Sequence, residues 1–250
     1  MIIFGYRAPM MASILVWCLL WEIVGQTGLM YLVPPFSSVL AAVVDLVQLE
    51  KFQTATVTTL RAFAIGMVLA AVIGIALGVL MGRVRAADKL LGMWVNLFVS
   101  APLSALVPVL MILSGMGERT IVISVFLFAV WIIVLDTRAG VQHVSVSLVE
   151  MGRSYGASRW QLYTRIILLA ALPEILAGLR LGLIRGVKGV VIGQLLIAII
   201  GVGELFELYS QHFLMEEFWA LVIIVFTFAF GLSEAVAYFE RRVEYYASAR

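Results

Sequence analysis

Six stretches of this sequence read as helices that cross a membrane, and that pattern constrains the fold more than any motif does. They run from Met10 to Leu29, Thr56 to Met81, Leu90 to Leu113, Ile121 to Leu135, Leu176 to Ile200 and Phe218 to Tyr238, the fourth being the shortest. Composition agrees, since 63% of the 250 residues are hydrophobic, 13% are charged and the mean hydropathy is +1.09. Soluble domains average about 45–50% apolar and about 25% charged, so no water-soluble core hides this much apolar surface. The single cysteine, Cys18, excludes a disulfide scaffold. The expectation is an all-α, polytopic membrane protein with six transmembrane helices. The first stretch reads as an uncleaved helix and not a signal peptide, because Glu22 closes its apolar run and no small-residue cleavage pattern follows.

Six spans put both termini on one side, and the placement of Lys and Arg orients them. One face collects Arg7, Arg83, Arg85, Lys89, Arg138, Arg153, Arg159, Arg165, Arg241, Arg242 and Arg250; the other holds Lys51 and Arg119. Eleven cations against two place both termini in the cytoplasm. Arg61, Arg180, Arg185 and Lys188 fall within or at the ends of spans. The connection from Asp136 to Ile175 is too long for a turn and too polar for another span, which marks it as functional. On the external side, Pro34 and Pro35 followed by Phe36-Ser37-Ser38 read as a break, a Ser cap and a short amphipathic surface helix, or else as a plain connector.

Several chemistries are missing. Each of the three lysines follows Glu50, Asp88 or Val187, so no Gly-Lys phosphate loop exists and the chain is not its own ATPase. His143 and His212 fall on opposite predicted faces and neither begins a His-Glu-x-x-His pair, so no zinc site or other metal is expected. Cys18 in an apolar helix reads as packing. Ser114 and Ser233 have no histidine near them in sequence, and no nucleophile elbow occurs. An enzyme is the weaker class of answer.

The polar stretch around Glu150 ends at Gly156, which suits a left-handed helix terminus, and Ser158 with Gln161 has capping-box spacing. A cytoplasmic helix-turn-helix follows. Tyr155, Trp160, Leu162 and Tyr163 place large side chains on it, which fits a docking surface for another protein; an interfacial aromatic belt is the other reading.

At this point the sequence resembles the inner-membrane permeases of binding-protein-dependent ABC importers. The family signature in this loop is Glu-Ala-Ala, three residues, Gly, nine residues, then Ile-x-Leu-Pro. Here Glu150, Gly156, Ile166 and Leu168 match, whereas Met151, Gly152 and Leu169 replace the two alanines and the proline. Pro173 lies four residues beyond Leu169, in a segment similar to the nitrate/sulfonate/taurine branch. Trp21-Glu22, Pro102-Leu103-Ser104-Ala105-Leu106-Val107-Pro108 and Gly201-Val202-Gly203 echo the same branch, and Gln194 stands where it often has glutamate. The likeness extends from about Trp21 to Arg242.

That resemblance implies a type I ABC importer transmembrane domain in the bacterial inner membrane, with a first helix and external segment over 1–53, the domain over 54–242 with its coupling loop at 136–175, and a tail over 243–250. It implies as partners a second permease copy in a homodimer, two cytoplasmic ATPase subunits that hold the ATP and Mg, an external solute-binding protein and the lipid bilayer. No cofactor is expected in this chain and no nucleic acid. Glu150 is assigned a polar contact to the ATPase, Gly156 the turn, and Ala157, Trp160 and Tyr163 the docking surface. The branch is associated with small anions such as nitrate, sulfonates and taurine, and also with pyrimidine vitamin precursors. A secondary transporter is a rival class, but the matched broken half-helices it needs are not evident.

Charge alone does not choose a solute. Externally, Asp45, Glu50, Glu118, Glu204, Glu207, Glu216 and Glu217 against Lys51 and Arg119 leave a balance of −5, whereas Arg185 and Lys188 within the fifth span favour an anion. At about 1.5 Å per residue, Glu22 and Lys188 each lie about 18 Å from the cytoplasmic edge, and Arg180 and Glu234 each about 6 Å. Equal depth makes each couple an expected ion pair, which ties helices together or lines the pathway. Gly66, Gly74, Gly78 and Gly82 share one helical face and are expected to admit a close neighbour.

Overall fold

The computed structural model describes residues 2–3, 6–7, 10–28, 30–197 and 199–248, with side chains described between 12 and 238. A two-residue antiparallel pairing of Ile2–Ile3 with Tyr6–Arg7 precedes an otherwise helical chain. The helices are α1 (Met10–Gln26), α2 (Phe36–Gln48), α3 (Glu50–Arg83) and α4 (Arg85–Ser100), then α5 (Val107–Ser114), α6 (Glu118–His143) and α7 (Val146–Ser154). They continue as α8 (Arg159–Ala170), α9 (Leu172–Ile197), α10 (Val202–Gln211) and α11 (Met215–Ser248).

Three of these, α3, α6 and α11, are singly long and apolar enough to cross a membrane, and two bent pairs raise the number to five. The expected third span, Leu90 to Leu113, is one of those pairs: α4 and Leu103–Ser114 meet at 94°. Pro102 causes the break, because its ring holds the preceding Ala101 in an extended conformation, φ −67° and ψ 144°. The expected first span is also shorter, since α1 has 17 residues and Gly28 turns the chain with φ +64°; Leu29 lies outside the described residues.

The fourth span, expected from Ile121 to Leu135, is instead a 26-residue helix running to His143. Its polar end stays helical because tertiary partners take up the charges. Arg138 Nη2 donates to Asp88 Oδ2 at 2.9 Å, and Gln142 reaches the same oxygen at 3.5 Å. Asp136 to Ile175 is therefore no loop. It is the end of α6, then α7 and α8, then the start of α9, with a 64° bend between the last two.

The core is built around α6, where 56% of the most apolar window is buried. Two glycine-lined helices clasp it. From α3, a Cβ added at Gly66, Gly78 or Gly82 would stand 2.5–2.7 Å from Val125, Thr137 or Val141, and one at Gly74 would stand 2.9 Å from Ile133. From α9, a Cβ at Gly178 or Gly182 would meet Asp136 or Ile133 at 2.7–2.8 Å. Lipid tails are as apolar as leucine, so helices in a membrane associate through close backbone approach and dispersion, which these glycines permit. Thr120, Ser124 and Thr137 on α6 are wholly buried, and Ser124 satisfies itself by donating to the Thr120 carbonyl at 2.9 Å.

A second cluster holds the N-terminal elements. Val39, Ala42 and Leu46 of α2 pack with Leu205, Phe206 and Leu221. The Trp21 ring lies 5.3 Å from Phe36 and 5.2 Å from Trp219, and the two indole N–H groups donate to the carbonyls of Pro34 and Leu32. The expected Ser cap is corrected here: α2 begins after Pro35 with no side-chain cap of its own. Glu22 does that work from α1, accepting the Ser37 N–H at 2.8 Å and its hydroxyl at 2.9 Å. A carboxylate beside a helix N-terminus also complements the helix dipole.

Candidate functional site

The segment from α7 to α8 assembles from local rules. Gly156 has φ +76°, its N–H donates to the Arg153 carbonyl, and the Ala157 N–H reaches back to Gly152 at 3.0 Å, which together form a Schellman termination of α7. Ser158 then caps α8. Its hydroxyl accepts the Gln161 N–H at 3.3 Å while Gln161 Oε1 accepts the Ser158 N–H at 2.8 Å. Beyond the cap, Leu162–Ile167 widens into a π-helical turn, a feature often found at functional positions.

Gly152 explains why the two helices close so tightly. A Cβ there would lie 2.3 Å from Ile166 Cδ1 and 2.8 Å from Leu162, so a glycine in place of the family's alanine lets α8 settle directly on α7. Leu168 packs on the cluster of Val141, Ile167 and Ile175. Pro173, second residue of α9, sits where a missing N–H costs nothing. The opposite face is open: Glu150 is exposed, Ala157 is half-buried, Tyr163 is exposed, and Tyr155 and Trp160 are 87% and 76% exposed. The result is an apolar and aromatic surface with a carboxylate beside it, held on a rigid turn.

Within the spans, the expected Glu22–Lys188 pair is not formed. Glu22 is occupied by Ser37 and by Gln26 Nε2 at 2.7 Å, because α1 packs mainly on α2 and does not reach α9 at that depth. Lys188 is exposed on the surface of the chain, lining an open groove of about 480 Å³ between α9 and α11. Arg180 Nε donates to Ser233 Oγ at 3.4 Å, one residue before Glu234. Arg185 is half-buried and acts electrostatically on Asp136, whose Oδ2 is buried without a hydrogen-bond partner among the described residues.

Gln194 of α9 joins two other elements through its side-chain amide. It is 2% exposed; its Nε2 donates to Thr59 Oγ1 at 2.8 Å, and its Oε1 accepts the Gly203 N–H at 3.3 Å. Thr59 Oγ1 also accepts the Val202 N–H at 3.0 Å. Gly201, with φ +69°, and Gly203, where a Cβ would strike the Gln194 backbone at 2.5 Å, allow the chain to lie on this node. The Gly201-Val202-Gly203 motif thus seats the turn between α9 and α10.

Residues 70–245 match the family described as the binding-protein-dependent transport system inner membrane component. The chain belongs to this family. Among relatives, the carnitine transport permease protein OpuCD of Listeria monocytogenes is 35% identical over 134 residues, 52% of this chain and 58% of that one. The chain thus spans little more than half the length of that permease. The taurine transport system permease protein TauC of Escherichia coli is 27% identical over 84% of this chain and 78% of its own. The bicarbonate transport system permease protein CmpB of Synechocystis is 26% identical over 96% and 89%. In fold, the MetNI methionine ABC transporter in an inward-facing conformation superposes with a TM-score of 0.66 at 20% identity, covering 77% of this chain and 96% of that one. The permease is accordingly an all-helical, multi-pass inner-membrane protein with a type I importer fold.

Thr59 carries no signal in the sequence, and Ser233 shows there only as a serine without a histidine near it. Each is a hydroxyl in an apolar helix whose partner lies on another helix, so spacing along the chain carries no sign of it. Gln194 was visible as an amide in an apolar run, but its partners were not.

Proposed function

We propose that this permease forms, with a second copy of itself, the translocation pathway of an ATP-driven importer for a small anionic solute. Two cytoplasmic ATPase subunits hold the ATP and Mg, and an external binding protein delivers the solute. The observation that carries this reading is the exposed aromatic surface of Tyr155, Trp160 and Tyr163 on the Gly156 turn. When the ATPases close on ATP, they draw the two turns together and rock the spans from inward-facing to outward-facing, so that the pathway is open to one side at a time. Relatives named for taurine and bicarbonate, together with Arg185 and Lys188, favour an anion.

The coupling role is tested by Glu150→Ala and Gly156→Trp in cells carrying the whole importer. Both variants are expected to insert normally and to abolish uptake; uptake that survives both changes removes the coupling site from this turn. Orientation is tested separately in a Cys18→Ser background with single cysteines at Arg153 and Glu207. An impermeant thiol reagent is expected to reach the first from the cytoplasm and the second from outside, and cytoplasmic labelling of position 207 overturns the topology.

A further inference from the structure

Three threonines near the external end of α3 do not behave alike. Thr58 donates its hydroxyl to the Thr54 carbonyl at 3.0 Å and Thr59 donates to the Ala55 carbonyl at 2.8 Å, the back-bond that a helical threonine makes to the preceding turn. Thr56 makes no such bond to Phe52. Its Oγ1 is buried and has no hydrogen-bond partner among the described residues.

Thr56 lines a cavity of about 100 Å³ bounded by α3, α9, α10 and α11. Phe52, Phe63, Val187, Val190, Val202 and Leu221 line it too, and every one of the six is buried, so the space reaches inside the helix packing. The other threonine of its wall is spent. Thr59 Oγ1 already donates to Ala55 and accepts from Gln194 Nε2 and from the Val202 N–H. The cavity therefore holds one unsatisfied hydroxyl in an apolar wall.

That composition decides what can enter. A water molecule needs two to four polar partners and finds one. An ion finds no countercharge, since no Lys, Arg, Asp or Glu lines the space among the described residues. The end of an acyl chain suits the wall but leaves the Thr56 hydroxyl unpaired and out of water, which is unfavourable. We infer that the cavity is a binding site for a small neutral alcohol. Its hydroxyl exchanges a hydrogen bond with Thr56 Oγ1, and its hydrocarbon part lies against Phe63, Val190 and Leu221. Cavities of about 150 Å³ take benzene, so about 100 Å³ suits roughly four or five heavy atoms. Nothing in this site depends on coupling or on the transported solute.

Fluoropropanol and fluoropropane, alike in chain and different by one hydroxyl, serve as probes. Each is titrated into the purified permease–ATPase complex in phospholipid nanodiscs and followed by fluorine NMR, with empty nanodiscs giving the signal of probe dissolved in lipid. Fluoropropanol is expected to give a saturable shift, and fluoropropane to bind about tenfold more weakly for want of the hydrogen bond. Thr56→Val exchanges the hydroxyl for a methyl group of the same shape. It is expected to weaken fluoropropanol by about tenfold and to leave fluoropropane no weaker. Val190→Phe and, independently, Val225→Phe at a half-buried position fill the space and are expected to abolish binding of both probes, with assembly and melting temperature confirming that each variant folds. Equal binding of the two probes, or a Thr56→Val protein that binds fluoropropanol as the unaltered one does, overturns the alcohol assignment. A saturable signal that survives both phenylalanine variants moves the site elsewhere and defeats the proposal. So does the absence of any saturable signal in nanodiscs; if one then appears only after lipid is stripped away in detergent, an acyl chain is the occupant.

Discussion

Helices α6 and α11 are almost equally apolar, with mean hydropathies of 2.4 and 2.2 over their best windows, yet 56% of the first is buried and 17% of the second. Apolarity qualifies both for a membrane and does not decide which becomes the core. The difference lies in their neighbours. α6 is met by the glycine faces of α3 and α9, whose backbones approach until an added Cβ would overlap its side chains. α11 presents Phe226 and Phe230 outward, turns only Phe228 onto Phe63 of α3, and spreads its other contacts over α9, α2 and α10 without a glycine-lined face against it. In a solvent of hydrocarbon, burial follows shape and not hydrophobicity.

The sharpest way to break this comparison is to put the same side chain on both sides of it. Gly78→Leu forces a branched side chain into Thr137, where even a Cβ would lie 2.5 Å away, and is expected to cost about 3 kcal/mol or more and most of the folded yield. Gly231→Leu on α11 meets nothing within 4 Å and is expected to leave yield and the melting temperature in detergent unchanged. Equal losses at both positions would show that glycine matters here for some reason other than contact with α6.

A polar change should act more weakly. Gln194→Leu strands the Gly203 N–H and one hydrogen bond of Thr59, each about 1–3 kcal/mol when buried. The expected outcome is a lower melting temperature and faster proteolysis between α9 and α10, with α6 and α3 still protected. Uniform loss of protection would mean that the node supports the whole core and not only its external turn.

The smallest effect is expected at the periphery. Lys51 pairs with Glu204 at 3.1 Å, but the two side chains are 55% and 42% exposed, and such pairs contribute about 0.2–1 kcal/mol. Lys51→Ala should therefore shift the melting temperature least of the three, and the shift should vanish in high salt. A loss comparable to that of Gly78→Leu would place the pair in the load path between α3 and α10.

Much of this architecture is local and so readable from the chain. The Gly156 termination, the Ser158–Gln161 capping box and the glycine spacing of α3 each depend on residues within a turn or two of one another, and the structure contains all three. The break at Pro102 was equally local, but averaging hydropathy from Leu90 to Leu113 concealed it. The partners were not readable. Glu22 turned to Ser37 instead of Lys188, α6 continued past Asp136 because Asp88 takes up Arg138, and Lys188 opened onto a groove shared with Ser233. Each of these depends on how a helix is rotated about its axis and which neighbour it meets. A helix apolar on nearly every side carries no face to encode that rotation, so it is settled only when glycines, rings and hydroxyls on separate helices find the one arrangement in which they fit.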